Sequence, residues 1–418
     1  MTEREAKLRE HIAGCHDRAR QHLGASEADV QRGLELHREL LVCDSFTLPW
    51  SIPSSAGIAR INAAIEEGWD ASEVAQLRLN VNLADVVYDE ECAHLHDVIF
   101  EVSGVDATVI NAGCGPGIEY TIRSAGRFQQ VCDGLRDRWV KATHARQVRE
   151  AHAEGRHAMI FSANNPPSDA GFADGWDQLR WLEWFHRMGF RIMHLTYNRR
   201  NWVGDGCMEA ANGGLSAFGQ MVVEAMNDLG IVVDTPHTGE RTTLDAAAAS
   251  RAPIAASHTV CRALRDHPRG KTDEQIRAIA ERGGFIGITC VPGFLRAGGG
   301  TIVDLLDHVE HAIKVAGIDH VGIGTDTGYV VPPPAEPVVL PMPRGRQQWW
   351  SYWPEGTSGG GNDEASAGSI AWVSWPYFTV GLLMRGYSEE DVARIVGGNA
   401  LALFAEVERA AKWRVAGA

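Results

Sequence analysis

Several features that mark other classes of protein are missing from this chain of 418 residues. No run of 18 apolar residues occurs, which argues against a transmembrane helix. The opening segment MTEREAKLREHIAGCHDRARQHL is charged throughout and contains no apolar stretch typical of a signal peptide. Positive charge is in deficit, with 39 Lys+Arg against 54 Asp+Glu and a net charge of −15, so no basic face for nucleic acid is expected. We therefore expect a cytoplasmic protein with neither a membrane nor a nucleic-acid partner.

Paired cysteines are also absent. The eight cysteines never occur as Cys-x-x-Cys, which excludes a zinc ribbon and a thioredoxin-type redox motif. In a reducing cytoplasm we expect free thiols, several of them buried in the core.

Short apolar runs alternate with amphipathic helices along most of the chain. The runs are apolar throughout instead of alternating with polar residues, which is typical of parallel strands covered on both faces. Eight such runs predict an α/β fold, a (β/α)8 TIM barrel, and a doubly wound open sheet is the alternative. The predicted strands are Leu40–Cys43, Ala107–Asn111, Ala158–Ser162, Arg191–Leu195, Ile231–Asp234, Ile254–Ser257, Phe285–Cys290 and His320–Gly324. The predicted helices include Trp176–Met188, Ala217–Leu229, Leu244–Ser250, Thr272–Arg282, Ile302–Ala316, Tyr387–Ile395 and Ala400–Ala411.

The domain organisation is predicted in three parts. Residues 1–40 form an N-terminal helical extension, residues 41–404 the barrel, and residues 405–418 a helical tail. Within the barrel, residues 330–369 are too long for a simple connection, so a functional loop or lid is expected there. This stretch holds the aromatic group Trp349–Trp353, which we predict packs in the lid or in a subunit interface. An aromatic box for a quaternary ammonium or apolar ligand is the alternative.

Histidine and aspartate follow apolar runs at three predicted strand ends. His237, His258 and Asp326 complete the segments VVDTPH, IAASH and VGIGTD. Reactive groups of a barrel lie just past the carboxyl ends of its strands, so the three side chains are expected at one mouth. Neutral imidazoles suit Zn²⁺, and an aspartate beside them can ligate the ion or act as a general base. The alternative is that both histidines are polar residues hydrogen-bonded at the barrel rim.

Two more residues near strand ends are candidates for catalysis or substrate binding. Cys207 lies in the long glycine-rich loop Asn198–Gly214, where it is either a nucleophile activated by histidine or a structural cysteine. Arg269 lies shortly before the predicted helix Thr272–Arg282, and its guanidinium suits either a substrate carboxylate or a structural ion pair.

Longer stretches of the chain resemble one known family. They are LTYNRRNWVGDGCMEAANGGLSAFG, IVVDTPHTGERT, APIAASHTVCRALRDHPRGKTDE and the C-terminal RGYSEEDVARIVGGNALALF. In combination they resemble the membrane (renal) dipeptidase family, over roughly Leu41 to Phe404. The resemblance implies a barrel related to the amidohydrolases. It also implies two zinc ions that activate water against the amide of a dipeptide, often one with a D- or dehydro-residue on its C-terminal side.

Part of the family's machinery carries over by this resemblance. His237 and His258 match the two histidines that hold one zinc. Asp326 matches the aspartate that assists proton transfer, and Arg269 matches the arginine that binds the substrate carboxylate.

Other positions depart from the family pattern. The segment CDSFTLPW, with Phe46, replaces a first strand that ends in a His-x-Asp ligand pair. Asn164 and Asn165 stand where the bridging glutamate is expected, and Tyr197 replaces a histidine that contacts substrate. One metal site thus lacks both terminal ligands, and the carboxylate that would link the two metals is missing.

The combined prediction is a dipeptidase-like hydrolase that cleaves a small amide or dipeptide-like substrate bearing a carboxylate. It would use at most one divalent metal, zinc, held by His237 and His258, and the family suggests a homodimer. The candidate catalytic residues are Asp326, Tyr197 and Cys207, and the candidate substrate-binding residues are Arg269, Asn164, Asn165 and Asp44. Two alternatives stay open: a metal-independent barrel enzyme such as a lyase, isomerase or C–N-cleaving enzyme, and an inactive binding homologue.

Overall fold

The strands form one parallel sheet. The computed structural model describes residues 1–113, 115, 117–167, 175–331, 351–359 and 368–412, without the side chains of residues 71 and 72. The strands in these ranges are β1 (Cys43–Thr47), β2 (Ala107–Gly113), β3 (Trp139–Lys141), β4 (His157–Ala163), β5 (Phe190–His194), β6 (Val232–Asp234), β7 (Ile254–Cys261), β8 (Gly270–Lys271), β9 (Phe285–Ile288) and β10 (Val321–Ile323). Eight of them follow the order β1-β2-β4-β5-β6-β7-β9-β10, while β3 pairs with β4 and β8 pairs with β7.

The sheet returns to its starting strand, so the eight strands form a nearly closed barrel. Ser45 donates a side-chain hydrogen bond of 3.0 Å to the carbonyl of Ile323 in β10. The backbone N–H of Asp326 donates to the carbonyl of Phe46 in β1 at 2.9 Å. The predicted (β/α)8 barrel is confirmed, and the open sheet is excluded.

The first strand lies later in the chain than predicted. The predicted strand Leu40–Cys43 shares only Cys43 with β1, and the observed strand carries Asp44, Ser45 and Thr47, all of them buried. The polar side chains are accommodated because they hydrogen-bond to the neighbouring end of the barrel. A search for apolar runs cannot recognise such a strand. The other seven predicted strands overlap observed ones.

Helices cover the outside of the barrel. Two of them, Glu3–Leu23 and Glu27–Glu39, precede β1, and the second packs so closely against Trp375–Met384 that a Cβ on Gly33 would lie 2.4 Å from Val380. In the described ranges, no helix has the length and apolar character needed to span a membrane. The further helices are Ser55–Glu66, Ala71–Tyr88, Glu90–Ser103, Ile118–Gly134, Ala145–Ala153, Gly175–Met188, Ala217–Leu229, Glu240–Ala249, Asp273–Ala280, Pro292–Leu295, Ile302–Ala316, Glu389–Ala393 and Asn399–Ala410.

Parallel strands bring all their carboxyl ends to one edge of the barrel, which becomes its mouth. The short strand β8 extends this edge, because it pairs with the end of β7. Thr259 of β7 donates to the carbonyl of Arg269 at 2.8 Å, which anchors that arginine beside the mouth. The fold thus gathers residues that are distant in sequence at one place.

Candidate active site

The three strand-end residues singled out by the sequence lie together at the mouth. His237 follows β6, His258 lies within β7, and Asp326 follows β10. The two imidazole rings are 5.3 Å apart between centroids, and Nε2 of His258 is 3.9 Å from Oδ2 of Asp326. The pKa of each histidine lies well below its ordinary value, first because the ring is buried and then because Arg269 is close. Both imidazoles are therefore neutral, the form that can accept a proton or bind a metal.

The δ nitrogens of both rings are engaged by neighbouring side chains. His258 Nδ1 lies 2.9 Å from Ser257 Oγ, and Ser257 in turn donates to Asp234 at 2.5 Å. His237 Nδ1 lies 3.0 Å from Oδ1 of Asn198. Nε2 of His258 is buried and has no hydrogen-bond partner in the part of the chain that the structure describes.

Asp326 combines backbone strain with a displaced pKa. Its φ of 55° lies in the left-handed region that non-glycine residues rarely adopt, a conformation that costs about 1–3 kcal/mol. Burial raises the pKa of its carboxyl to about 7, against the opposing effect of Arg269. A carboxyl with this pKa exchanges a proton readily at neutral pH.

Arg269 is a buried cation at the same mouth, and it is 1% exposed. Its guanidinium donates to the backbone carbonyls of Pro236 and His258, and it lies 5.5 Å from the ring of Phe294. Within the described residues its Nε is buried without a hydrogen-bond partner, and its charge acts on the nearby Asp326 carboxyl without a direct ion pair. A carboxylate-bearing ligand would supply the missing negative charge.

A deeper group of potential metal ligands lies below the mouth. One ligand atom each from His194, Asp234 and His258 lies within 4.8 Å of the other two, and all three residues are buried. Nε2 of His194 is 3.2 Å from Oδ2 of Asp234, yet neither ring nitrogen of His194 makes a hydrogen bond within the described ranges. The sequence reasoning missed His194 and Asp234 because it considered only residues after each strand. The available signal was a polar residue at the last position of each of two strands, His194 in β5 and Asp234 in β6.

Comparison with known proteins decides the family. Residues 31–335 match the family model of the membrane dipeptidases (Peptidase family M19). The chain belongs to the membrane dipeptidase family. Dipeptidase verJ of Clonostachys rogersoniana is 28% identical over 225 residues, 53% of this chain and 50% of that protein. Dipeptidase aclJ of Aspergillus oryzae is 26% identical over 310 residues, 71% of this chain and 64% of that protein. The matches thus span about half to slightly less than two thirds of these curated relatives.

Solved structures share the fold of this membrane dipeptidase family member. An amidohydrolase from Pseudomonas aeruginosa has a TM-score of 0.66 at 24% identity, covering 90% of this chain and 98% of its own. The probable dipeptidase PvdM from the same organism has a TM-score of 0.68 at 21% identity, covering 93% and 100%. A metallopeptidase from Rhodobacter sphaeroides, liganded with a phosphinate mimic of the dipeptide L-Ala-D-Ala, has a TM-score of 0.63 at 18% identity, covering 88% and 99%.

The two-metal centre expected of a membrane dipeptidase does not fit the residues present. Phe46 stands at the end of β1, where its ring stacks on His258 with centroids 3.9 Å apart. Thr47 beside it donates its hydroxyl to the carbonyl of Thr327 at 2.6 Å. A phenyl ring ligates nothing, so the first strand offers no ligand pair. Among the described residues, the remaining potential ligands are His237 and His258 at the mouth and the deeper group of His194, Asp234 and His258.

Asn164 and Asn165 lie at the end of β4, as the sequence predicts. Both are buried, and Oδ1 of Asn164 and Nδ2 of Asn165 have no hydrogen-bond partner within the described residues. An amide is a weak metal ligand but a good partner for the polar groups of a peptide. Their role in substrate binding stays a prediction.

Two of the candidate catalytic residues of this membrane dipeptidase family member flank His237. The ring of Tyr197 stacks on His237 with centroids 3.9 Å apart. Cys207 donates its backbone N–H to the carbonyl of His237 at 2.7 Å. Burial raises the pKa of its thiol, an effect that Arg269 only partly opposes. The site therefore favours the thiol over the thiolate, which disfavours Cys207 as nucleophile and favours a role in holding the loop.

Asp44 is committed to the structure of the barrel. Its carboxylate accepts hydrogen bonds from the N–H and hydroxyl of Thr325, from the N–H of Phe46 and from the indole of Trp372. The residue is fully buried. Its oxygens are thus occupied by bonds that join β1 to the segment after β10, which disfavours the predicted role of Asp44 in substrate binding.

The described part of the long loop lies over the mouth. The ring of Trp353 is 6.1 Å from that of His237 and 5.7 Å from that of Phe294. Nδ2 of Asn198 lies 3.5 Å and 3.4 Å from the carbonyls of Ser351 and Tyr352. These contacts favour the lid interpretation for residues 351–353. Trp349 and Trp350 lie outside the described residues.

Proposed function

We propose that this protein is a dipeptidase-type hydrolase that cleaves a small amide or dipeptide-like substrate bearing a carboxylate. One observation carries the proposal: two neutral imidazoles, a carboxyl with a pKa near 7 and a buried arginine without a direct ion pair among the described residues converge at one mouth. Membership of the membrane dipeptidase family supports the reaction class.

We infer at most one divalent metal ion, with zinc as the candidate. His237 and His258 are the proposed ligands, because each has its Nδ1 engaged and its Nε2 left to bind. A bound ion would supply a Lewis acid and a water molecule of lowered pKa. The deeper group of His194, Asp234 and His258 shares one ligand with this pair, so metal analysis of variants can separate the two sets.

Asp326 is the proposed acid and base. Its position 3.9 Å from His258 supports this role, because a substrate bound at the mouth would present its amide to both side chains. In its ionised form it would accept a proton from the attacking water, and it would then return that proton to the leaving amine. Its raised pKa suits both steps at neutral pH.

Arg269 and the asparagines are the proposed substrate-binding groups. The guanidinium would bind the substrate carboxylate, since its hydrogen bonds within the described residues go to backbone carbonyls and not to a carboxylate. Asn164 and Asn165 would take polar groups of the peptide with their unpaired amide atoms. Together they would orient a short substrate with its carboxylate held at Arg269.

A metal-independent enzyme is a second candidate, favoured by one specific observation. Phe46 occupies the place where the resemblance expects a ligand, and its ring packs directly on His258. In that case Asp326, with Tyr197 or Cys207, would perform the acid–base work of a lyase, an isomerase or another C–N-cleaving enzyme. Cytoplasmic location and a homodimer also stay proposals.

Metal analysis combined with a substrate screen tests these proposals. The full chain would be purified without chelator, its zinc content measured, and its turnover of L-Ala-D-Ala and other dipeptides recorded. We expect about one zinc per chain, loss of turnover on chelation, and loss of zinc in His237→Gln. Zinc retained in His237→Gln but lost in His194→Gln would move the ion to the deeper group. Turnover that persists after complete metal removal would refute the metal-dependent mechanism.

A further inference from the structure

The two aromatic departures from the family pattern have one geometry in common. Phe46 lies on His258 with centroids 3.9 Å apart and ring planes 19° from parallel. Tyr197 lies on His237 with centroids also 3.9 Å apart and planes 22° apart. Each departure thus stacks on one of the two histidines that the chain shares with the family. A stacked ring fixes the plane of its neighbour, because tilting either ring would produce a clash in a close-packed site.

Hydrogen bonding fixes the remaining freedom of His258. Asp234 accepts the backbone N–H of Ser257 at 2.9 Å and its hydroxyl at 2.5 Å. Because the single hydroxyl proton of Ser257 is given to Asp234, the serine oxygen can only accept from the Nδ1–H of His258. A neutral ring with its proton on Nδ1 carries its lone pair on Nε2, the atom that faces Asp326.

The same reasoning applies to His237. The amide nitrogen of Asn198 faces two backbone carbonyls in the loop at 351–352, so its oxygen is the atom that faces the histidine. That oxygen accepts from Nδ1–H, and the lone pair of His237 is again on Nε2. Both histidines therefore combine a stacked aromatic ring with an acceptor at Nδ1.

We propose that Phe46 and Tyr197 are positioning residues, each of which holds the plane of a histidine whose tautomer is set at Nδ1 by a neighbouring side chain. Phe46 acts with Ser257 on His258, and Tyr197 acts with Asn198 on His237. The two Nε2 lone pairs are thereby fixed in direction at the mouth. The two aromatic departures, one at a ligand position and one at a substrate-contacting position of the family, thus order the two histidines that the chain retains. The inference rests on the proposed function only in one respect, namely that the two Nε2 lone pairs take part in catalysis.

Variants of Tyr197 separate ring stacking from hydroxyl chemistry. Tyr197→Phe keeps the ring and should rescue the activity that Tyr197→Leu loses. For Tyr197→Leu we expect kcat to fall by about tenfold to a hundredfold with KM changed by less than about threefold, because substrate contacts stay while catalytic geometry is lost. An equal loss of kcat in both variants would overturn the proposal, because the hydroxyl would then be the active group.

Variants of Phe46 separate positioning from ordinary core packing. Phe46→Leu and Phe128→Leu each remove a ring that is fully or almost fully buried, but Phe128 packs against Phe161, away from the histidines. Both should lower the melting temperature to a similar extent. Only Phe46→Leu should lower kcat by about tenfold or more. Equal kcat values in the two variants would refute a positioning role for Phe46.

Nuclear magnetic resonance of ¹⁵N-labelled histidine gives a readout that needs no substrate. Ring signals of the full chain would be assigned to His237 and His258 by their loss in His→Gln variants. We expect the Nδ1–H tautomer at both residues, a mixture of tautomers at His258 in Ser257→Ala, and retention of one tautomer in Ser257→Thr. Finding the Nε2–H tautomer at either residue in the parent protein would overturn the proposal. If no dipeptide is hydrolysed but these signals are as expected, the proposed function fails while the positioning holds.

Discussion

The buried Asp44 makes the stability of the barrel depend on pH in a way that one substitution should reveal. Four donors from Thr325, Phe46 and Trp372 stabilise its ionised form, but burial has the larger effect and raises the pKa of the carboxyl to about 7. In the unfolded chain the same carboxyl has its ordinary value of 3.8. The folded protein therefore holds a proton on Asp44 between these two pH values, whereas the unfolded chain does not.

The sign and size of the effect follow from this difference. A raised pKa contributes stability that is fully present below about pH 4 and is lost as the pH rises through about 7. At roughly 1.4 kcal/mol per pH unit, the largest change in the free energy of unfolding is about 4 kcal/mol. Asp44→Asn cannot titrate and should lack this dependence. Its stability relative to the parent protein should therefore improve as the pH rises from about 4 to about 7.5.

Urea unfolding followed by circular dichroism at a series of pH values measures this quantity. Asp326 titrates in the same range, but it is present in both proteins and cancels from their difference. Asp266→Asn serves as a control, because the side chain of Asp266 is 86% exposed. Parallel stability curves for the parent protein and Asp44→Asn would refute the reasoning, since they would show that Asp44 is ionised in the folded protein at all these pH values.

Three further predictions concern the site. Replacing Arg269 by Met should lower kcat/KM roughly 10- to 100-fold in steady-state assays, mainly through KM, because one charge-assisted carboxylate contact is lost. For a substrate amidated at its C-terminus, kcat/KM should be the same in the parent protein and in Arg269→Met. The pKa of Asp326 near 7 predicts that kcat/KM rises with pH through that value as the base ionises. Asp326→Asn should abolish this rise of kcat/KM with pH. A pH profile of the same shape in the variant would exclude Asp326 as the base. In Gly206→Ala the new Cβ would lie 2.2 Å from the carbonyl oxygen of Tyr197, so the loop must shift. We therefore expect a lower kcat and a lower melting temperature. A fully active, equally stable variant would contradict the close approach of Gly206 to the backbone of Tyr197.

The succession of strands in the barrel could be predicted from the sequence, because strands that are buried on both faces consist of continuous apolar runs. Seven such runs overlap observed strands, and the helices Ala217–Leu229 and Ile302–Ala316 have the predicted bounds. The exception was β1, in which the buried side chain of Asp44 is stabilised by hydrogen bonds to Thr325, 281 positions away in the sequence. No local pattern contains that information.

The candidate site divides in the same way. His237, His258 and Asp326 could be found from the sequence, because each follows or ends an apolar run and a barrel places such positions at its mouth. His194 and Asp234 are visible in the sequence only as polar residues at strand ends, because their joint significance depends on two strands being neighbours with their ends aligned.

The sequence by itself determined the fold class, the family and the identity of the residues at the mouth, since these follow from local periodicity and motifs. Tertiary structure alone decided what the departures do: Phe46 and Tyr197 stack on the two histidines, while Asp44 is used to close the barrel. The physical reason is that burial, ring stacking and the choice of hydrogen-bond partner depend on neighbours in space, and only the folded chain specifies those neighbours.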